Sequence, residues 1–481
     1  MAAFHDICVC ALRPQIRRPS AALRFKCGAE MGNNMTYQEF KEAVIGISAD
    51  LQVADYELYY TENDSASVET FQQEIKEYST DSRMGVCYRC IKDGKAGYAS
   101  TENLTEEEAG SLVLRALENA KSIEAEAEAF IHEKGDSYKV LPESTCKEPT
   151  GGEMKEAALA LQKEMYAADS RVADGTQSFV VYGRGTCALY NSKGLDLEDN
   201  TSYTLCGGLA LVHDGEEMYD GSEDKDGNLA DFDLKEIAGK AVEDAISGIG
   251  ADSVPSGKYN VVFMGRAFAQ LLSTYDSVFS AEAAQKGMSL LKDKEGEKIA
   301  ADIVTVIDDP MHEKSLVKRT FDGEGVATYE KNVIENGVLK TLLHNLSTAA
   351  KAGVKSTGNG QKASYASNVG VGPFTFYLKP VEGTEEELLA AAENGICIKS
   401  VSGLHAGANP VTGDFSLLAA GFRIENGKKT TPVKNITVSG NFFTLLKEIE
   451  RIGTDIKFIR SMGGKCGSPS VLVRDMNIAG Q

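Results

Sequence analysis

Two histidine–glutamate pairs carry the most recognisable chemistry in this sequence. They occur in the stretches FIHEKGDS, around His132, and DPMHEKS, around His312. A zinc peptidase holds its metal with two histidines of one helix, usually four residues apart, and uses the glutamate as general base for the metal-bound water. Four residues after these histidines the chain has Asp136 and Leu316. Neither motif is complete, and we predict that both pairs are surface features without a catalytic metal.

No other catalytic motif is complete either. The sequence lacks a GxSxG elbow, a Walker loop and a GxGxxG that follows a strand. Cys87 and Cys90 have the spacing of a metal or redox pair, but in a strand a separation of three places the two sulfurs on opposite faces. Cys466 is predicted to be a buried small hydrophobe. A zinc site assembled from distant residues stays open, with His344, His405 and Asp414 as examples of its ligands.

The most unusual stretch runs from Gly403 to Val433, GLHAGANPVTGDFSLLAAGFRIENGKKTTPV. Glycines and the Asn409-Pro410 pair break its first half, and Asp414 and Ser416 open the strand that follows. Polar side chains held between glycine turns beside a strand are typical of a ligand groove. The competing interpretation is a structural corner, in which such side chains bond the local backbone.

The elements that must position these residues begin after a basic leader. Residues 1–35 are interpreted as a disordered or wrongly assigned start, because they are rich in arginine and lack a secretory apolar core with a cleavage site. Thr36 and Glu39 then form a capping-box pattern that opens a helix. We predict an N-terminal domain over residues 36–252, and a Gly-, Ser- and Pro-rich boundary near residues 250–260.

Two segments of the N-terminal domain resemble each other. Residues 85–123 and 207–249 each read as a strand, an Asp-Gly turn, a second short strand and an amphipathic helix. This pattern suggests a duplicated hairpin-plus-helix unit. The C-terminal domain, residues 253–481, has many strands joined by turns, including Asn336-Gly337 and Asn426-Gly427. We therefore predict an α+β protein whose C-terminal domain is a barrel-like antiparallel sheet.

Composition excludes several classes of function. The formal charge is −21, from 50 basic and 71 acidic residues, and an acidic surface repels nucleic acid. No apolar run is long enough to span a membrane. Ten cysteines at irregular spacings do not form a disulfide framework, which favours the reducing cytoplasm.

Several long stretches resemble the TldD/PmbA family, and most closely its PmbA branch, which is also called TldE. They include RTFDGEGVAT (319–328), ENGVLKTLLHNLSTAAKAGVKSTGNG (335–360), NPVTGDFSLLAAGFRIENGK (409–428), PVKNITVSGN (432–441) and the terminal KCGSPSVLVRDMNIAGQ. The resemblance starts near residue 36 and is densest after residue 256. It implies a cytoplasmic protein of the TldD–TldE zinc peptidase system, which was named for modulation of DNA gyrase.

In that family the TldD subunit carries a His-Glu-x-x-x-His helix after the first strand of its C-terminal domain. The corresponding place in this chain is MGRAFAQLLSTYDSVFS, where neither a histidine nor a glutamate is present. The residues at the ligand positions are Ser273, Thr274, Tyr275, Asp276 and Ser277. The resemblance therefore implies a chain with no metal and no catalytic residue of its own, and zinc on a TldD-type partner.

The resemblance also implies that this chain helps to enclose a groove for unfolded peptides. The peptide would lie extended along a strand edge. The candidate contacts are His405, Asn409, Thr412, Gly413, Asp414, Phe415 and Ser416. The partner would be a TldD-type subunit in a heterodimer or, in the alternative interpretation, a second copy in a metal-free homodimer with a peptide-binding or regulatory role. A direct link to gyrase or DNA is disfavoured by the acidic charge.

Overall fold

The N-terminal half of the chain forms one six-stranded antiparallel sheet with the strand order β3-β2-β1-β4-β5-β6. The computed structural model describes residues 35–122, 129–142, 144, 146–461 and 464–481, so the predicted leader lies outside the described residues except for Met35. The strands are β1 (Asp55–Phe71), β2 (Glu74–Lys92), β3 (Lys95–Thr101), β4 (Gln177–Asn191), β5 (Asp196–Asp214) and β6 (Glu217–Gly227). The helices are α1 (Tyr37–Asp50), α2 (Glu106–Ser122), α3 (Gly151–Ala168) and α4 (Leu234–Ile246).

The same order of elements occurs twice in this half, as the sequence suggested. Each copy is a helix, three antiparallel strands and a second helix: α1-β1-β2-β3-α2 and α3-β4-β5-β6-α4. The copies meet where β1 pairs with β4, and Asn63 opposite Gly185 marks the middle of that ladder. This arrangement gives the sheet an approximate two-fold axis between β1 and β4. All four helices cover the same face, two on each side of the axis.

Local sequence signals account for the ends of these elements. Thr36 accepts a hydrogen bond from the Glu39 backbone and Glu39 bonds back, which is the predicted capping box. Asp93 and Gly94 both have positive φ, as a type I′ hairpin turn requires. The second predicted turn is displaced by one residue, because Asp214 pairs with Glu217 and Gly215 takes the first central position.

Each copy also contains a glycine on its outer strand, where a helix crosses closely. A methyl group on Gly97 would lie 1.9 Å from the carbonyl oxygen of Ala116, and one on Gly221 would lie 2.2 Å from the amide nitrogen of Ala245. Such distances cannot be accommodated without moving the helix away from the strand.

We expect Gly97→Ala and Gly221→Ala each to lower the free energy of unfolding by about 1–3 kcal/mol, the usual range for overpacking. Matched controls are Gly110→Ala and Gly239→Ala, which lie in α2 and α4 with no atom within 4 Å of the added methyl group. Since alanine is the better helix former by about 1 kcal/mol, the controls should be neutral or stabilising. Urea unfolding followed by circular dichroism measures all four variants, and equal effects would contradict close packing at the strands.

The C-terminal half contains a closed sheet with the strand order β16-β15-β14-β7-β20, and pairing of β16 with β20 completes the ring. A short strand, β17, also pairs with β20. The strands are β7 (Gly257–Phe263), β14 (Gly395–Ser402), β15 (Asp414–Glu425), β16 (Lys428–Asn441), β17 (Ile449–Ile452) and β20 (Val471–Ala479). The predicted barrel-like domain is confirmed.

A second six-stranded sheet packs beside this barrel in the order β10-β9-β8-β13-β19-β18. Its strands are β8 (Val306–Asp308), β9 (Lys331–Glu335), β10 (Val338–Leu339), β13 (Thr375–Leu378), β18 (Lys457–Ser461) and β19 (Gly464–Ser468). The remaining pair is β11 (Gly360–Gln361) with β12 (Gly370–Val371). The helices are α5 (Gly265–Thr274), α6 (Ala281–Gln285), α7 (Leu346–Ala352), α8 (Glu385–Ala392), α9 (Leu404–Gly407) and α10 (Phe442–Glu448).

The antiparallel pairing predicted for this half has two exceptions. β7 runs parallel to β14, and β13 runs parallel to β19. Parallel neighbours need a long crossover connection, whereas the turn signals in the sequence report only the antiparallel hairpins. The two Asn-Gly hairpins are confirmed, since both residues of each turn have positive φ.

The two halves contact each other through the loop 319–328 of the C-terminal half, which we call the interdomain loop. It docks on the face of the N-terminal sheet that the helices leave open. Phe321 is buried there against Tyr59 and Leu189. Beside it, Arg89 of β2 bonds Glu57 at 3.0 Å and lies 3.9 Å from Glu324 of the loop. We call these three charged residues the Arg89 cluster. None of the helices in the described part of the chain is long and apolar enough to cross a membrane.

Candidate functional site

The segment from Ser273 to Ser277 contains the end of α5. Only Ser273 and Thr274 are helical, and the hydroxyl of Thr274 donates to the carbonyl of Gln270 at 2.8 Å. The chain then bends through a 3-10 turn at Asp276–Phe279. Because the helix stops within the segment, its five residues do not project from one helical face.

Tyr275 connects this segment to the unusual glycine-broken stretch. Its ring is buried and stacks on Phe442, with ring centres 4.4 Å apart and planes within 5°. Its hydroxyl donates to the carbonyl oxygen of Asp414 at 2.7 Å. Burial raises the pKa of Tyr275 to about 12, so the hydroxyl keeps its proton and stays a donor. The two segments singled out in the sequence are therefore neighbours in space.

Asp276 and Cys466 interact electrostatically in this region. Cys466, on β19, is buried in the core as predicted. Burial first, and then the charge of Asp276, raise the pKa of the Cys466 thiol well above its usual range. Burial likewise raises the pKa of Asp276 to about 7. A thiol that keeps its proton is a poor metal ligand, because the thiolate is the form that binds metals.

The residues present here do not fit a catalytic zinc ion. Such a site needs three protein ligands around one point, and the segment from Ser273 to Ser277 offers one carboxylate and no histidine. Among the described residues there is no group of three or more His, Cys, Asp and Glu side chains that could hold a metal. The distant ligand set of His344, His405 and Asp414 is therefore not assembled in the described part of the chain.

The stretch 403–416 forms a corner between β14 and β15. Asn409 accepts hydrogen bonds from the amides of Val411 and Thr412 through its side chain, and its own amide donates to Asp414. Asn441 donates to the carboxylate of Asp414, and this bond lowers the Asp414 pKa. Gly413 has φ of +84°, and an added methyl group would meet the ring of Phe443 at 2.6 Å. These bonds match the structural-corner interpretation.

The same corner nevertheless leaves a row of side chains open to solvent. The exposed candidates are His405, Asn409, Thr412, Asp414 and Ser416. Phe415 differs, because its side chain is 4% exposed and packs in the core, so only its backbone is left for the predicted contact. Two exposed apolar residues were missed: Val411 is 45% and Leu418 is 59% exposed. Leu418 lies two residues beyond Ser416, on the same outward face of β15.

The expectation that an extended peptide lies along a strand edge stays a prediction, and β15 has little free edge to offer at this corner. β15 bonds β16 on one side and β14 on the other, and Ala408 bridges Phe415 beyond the end of β14. A closed sheet leaves no row of unpaired backbone groups in its interior strands. A ligand of this corner must therefore be contacted through side chains.

The two histidine–glutamate pairs have separate structural surroundings. The Nε2 atom of His132 lies 2.8 Å from Asp136, which also accepts the Ala327 amide of the interdomain loop. His312 packs against the rings of Tyr377 and Phe458, each with its centre 5.0 Å from that of the histidine. Neither histidine belongs to a metal-holding group of described residues.

The Cys87 and Cys90 pair is split as the strand period requires. Cys87 is buried against the interdomain loop, and Cys90 is buried beneath the helices on the opposite face of β2. Both are free thiols. The prediction that the two sulfurs lie on opposite faces of the strand is confirmed.

Three family models match the chain in sequence order. They describe the PmbA/TldA metallopeptidase domain 1 at residues 56–120, the central domain at residues 146–249 and the C-terminal domain at residues 256–480. Together they cover well over half of the chain. The first two models fall on the two copies of the N-terminal unit.

Individual proteins are similar over nearly the same length. The metalloprotease PmbA homolog of Haemophilus influenzae is 26% identical over 457 residues, 92% of this chain and 96% of that protein. A solved structure of a proposed modulator of a DNA gyrase from Thermotoga maritima superposes with a TM-score of 0.85 at 33% identity, covering 92% of this chain and all of that one. TldE from Thermococcus kodakarensis shares the fold, with a TM-score of 0.84, 23% identity and the same coverage.

Proposed function

Because the chain belongs to the PmbA/TldD metallopeptidase family, we propose that it is the TldE-type subunit of a TldD–TldE complex. In this proposal the chain binds no zinc and supplies no catalytic residue. A TldD-type partner carries the metal, and the two chains together enclose a groove for unfolded peptides in the cytoplasm.

The observation that carries the proposal is the residue set at positions 273–277. The hydroxyl of Thr274 bonds its own helix, and that of Tyr275 bonds Asp414. Asp276 is the one carboxylate of the set, and no histidine accompanies it. A general base and a metal ligand both need a free lone pair on a properly placed side chain. These five residues therefore support a subunit that leaves the chemistry to its partner.

The outward row of the 403–416 corner supports a surface that a second chain covers. Val411 and Leu418 are exposed apolar side chains beside the polar Asp414 and Ser416. An apolar centre with a polar rim is the usual composition of a protein interface. The corner also lies against Tyr275, and in this proposal the interface is beside the position that would hold metal in a TldD-type chain. The partner's groove would then be closed by this corner.

The second candidate function is a metal-free homodimer that binds peptides or has a regulatory role. The same exposed row favours it equally, since a two-fold dimer uses one self-complementary surface. The two candidates differ in what the corner binds.

We expect the chain purified alone to contain no stoichiometric zinc and to show no chelator-sensitive peptidase activity. Co-expressed with a TldD-type chain, it should co-purify as a complex with one zinc per heterodimer and with activity on unfolded peptides. Metal analysis by mass spectrometry and cleavage of an unfolded casein measure both properties. One equivalent of zinc in the isolated chain, with activity that a chelator abolishes, would overturn the proposal.

The role of the corner is tested in the same co-purification with Leu418→Asp. A buried charge without a partner at an interface weakens binding by about tenfold or more. The matched control is Val354→Asp, because Val354 is also apolar and 53% exposed but follows α7 and is not part of the corner segment or of β15. Loss of the partner with Leu418→Asp but not with Val354→Asp supports the heterodimer. Loss of self-association in the absence of any partner supports the homodimer instead.

A further inference from the structure

A cavity of about 420 Å³ lies on the outward face of the sheet that packs beside the barrel. This volume is within the range of about 300–1,000 Å³ that is usual for ligand sites. The floor is a row of paired residues on neighbouring strands. Tyr377 of β13 pairs with Ile307 of β8 on one side and with Gly467 of β19 on the other. Gly467 pairs in turn with Phe458 of β18. Paired residues lie on the same face of a sheet, so this row forms one continuous surface.

Three aromatic rings gather on this floor. The ring of His312, from the loop that follows β8, has its centre 5.0 Å from the ring centres of both Tyr377 and Phe458. The rings of Tyr377 and Phe458 are 5.9 Å apart and tilted by 60°. Gly467 permits this arrangement, because a methyl group there would lie 2.5 Å from the Phe458 ring. All three rings line the cavity, which therefore offers aromatic faces and edges to an apolar side chain.

The histidine and the tyrosine are both uncharged near neutral pH. Burial lowers the pKa of His312. Burial, followed by the charges of Glu330 and Asp309, raises the pKa of Tyr377 to about 12. The Nδ1 atom of His312 accepts a hydrogen bond from the Lys314 amide at 3.1 Å. In a neutral imidazole the other nitrogen then carries the proton, so Nε2 is a donor that suits a carbonyl group of a ligand.

Charged side chains of both signs surround the rings. Two acidic and two basic residues line the cavity, and all four are exposed: Glu313, Glu330, Lys314 and Lys379. Within the described ranges, none of these side chains takes part in an ion pair or a hydrogen bond. Because the four charges sum to zero, the lining does not favour a simple cation or a simple anion. Unpaired charges of opposite sign are complementary to a ligand that carries both.

The sheet holds one acidic and one basic residue at opposite ends of the cavity. Glu330 comes directly before β9, and the register of the β8–β9 ladder places it level with Asp309. Lys379 comes directly after β13, and its amide donates to the Thr305 carbonyl at 2.8 Å. Thr305 and Asp309 flank the two ends of β8, and β9 and β13 lie on either side of that strand. At about 4.8 Å between strands and about 3.3 Å per residue, the backbones of Glu330 and Lys379 are roughly 16 Å apart. Their side chains span part of this distance, and the rest fits a chain of about two or three residues.

We propose that this cavity binds a short peptide with free ends, two or three residues long, that carries an apolar side chain. Glu330 bonds the ammonium group of the peptide, and Lys379 bonds its carboxylate. The rings of His312, Tyr377 and Phe458 pack against the side chain between the two ends. The site shares no residue with the corner at 403–416 and does not rest on the proposed function.

Isothermal titration calorimetry of the intact chain with the tripeptide Ala-Phe-Ala measures this binding. Glu330→Gln with Lys379→Gln should weaken it by at least about tenfold, because hydrogen bonds to charged groups are the stronger ones. Both positions are exposed, so the variant should fold as the parent does. The matched control is Glu156→Gln with Lys355→Gln, the same two changes at exposed positions in α3 and after α7. It should stay within about twofold of the parent chain.

Two further peptides separate the ionic contacts from the aromatic contact. N-acetyl-Ala-Phe-Ala-amide keeps the ring but has no charged end, whereas Ala-Ser-Ala keeps both ends without the ring. Each should bind at least about tenfold more weakly than Ala-Phe-Ala. Equal loss with both pairs of variants, undiminished binding of either peptide, or no binding of Ala-Phe-Ala at about 1 mM would each overturn the proposal. None of these results bears on zinc content or co-purification, so the proposed function is tested separately.

Discussion

Replacing Arg89 by methionine is expected to lower the free energy of unfolding by about 3–5 kcal/mol, the usual cost of breaking a buried ion pair. Arg89 and Glu57 have side chains that are 6% and 2% exposed, and Glu324 is 5% exposed. Methionine fills the space of the arginine stem but leaves two carboxylates in the interior without a counter-ion. Since Glu324 belongs to the interdomain loop, the loss should also loosen the contact between the halves.

The matched control is Arg184→Met on the same sheet, whose side chain is 55% exposed and pairs with Asp64. An exposed ion pair contributes about 0–1 kcal/mol, so this variant should change little. Urea unfolding followed by circular dichroism suits the chain, which has no tryptophan. Adding Glu57→Gln and Glu324→Gln to Arg89→Met should recover part of the stability. No recovery would show that the lost stability came from packing rather than from orphaned charge.

The second large effect is expected from Asp276→Asn, which should stabilise the protein at alkaline pH. Burial raises the pKa of Asp276 to about 7, against about 3.9 in an unfolded chain. Below pH ~4 both states hold the proton and the variant changes nothing. From pH ~4 to ~7 the unfolded state releases its proton first, so the stability of the parent chain falls with rising pH. Above pH ~7 asparagine avoids this penalty, which is about 2–4 kcal/mol.

Thermal unfolding between pH 4 and pH 8 measures this difference. The parent chain and Asp276→Asn should agree at pH 4 and separate progressively as the pH rises. Asp220→Asn, a change of the same charge at an exposed position of β6, should not separate from the parent. A constant offset between parent and variant at all pH values would contradict a buried carboxyl that titrates near neutrality.

Local patterns in the sequence predicted much of the N-terminal half. The Asp-Gly hairpins and the amphipathic helices each depend on residues close in the chain, so the repeated unit could be recognised before the fold was known. The axis between β1 and β4 could not be predicted, because it depends on which strand of one copy pairs with the other. The same holds for the parallel pairs of the barrel, whose strands are far apart in sequence.

The sequence pointed to the two segments of the candidate site separately, but it did not predict the contacts between them. Ser273 to Ser277 and the corner at Asp414 were chosen separately, but the bond that joins Tyr275 to Asp414 spans 139 residues. The exposure of Leu418 was also missed, because leucine in a strand is usually directed to the core. Conversely, Phe415 was included by its position and proved to face inward.

The closure of the barrel has a consequence for biosynthesis. β7 leaves the ribosome long before β20, its antiparallel neighbour, and the stretch between Phe263 and Val471 must be translated in between. At about 5–20 residues per second this takes roughly 10–40 s. During that interval the apolar side chains of Val261, Val262 and Phe263, which are buried in the finished barrel, stay without their β20 neighbour.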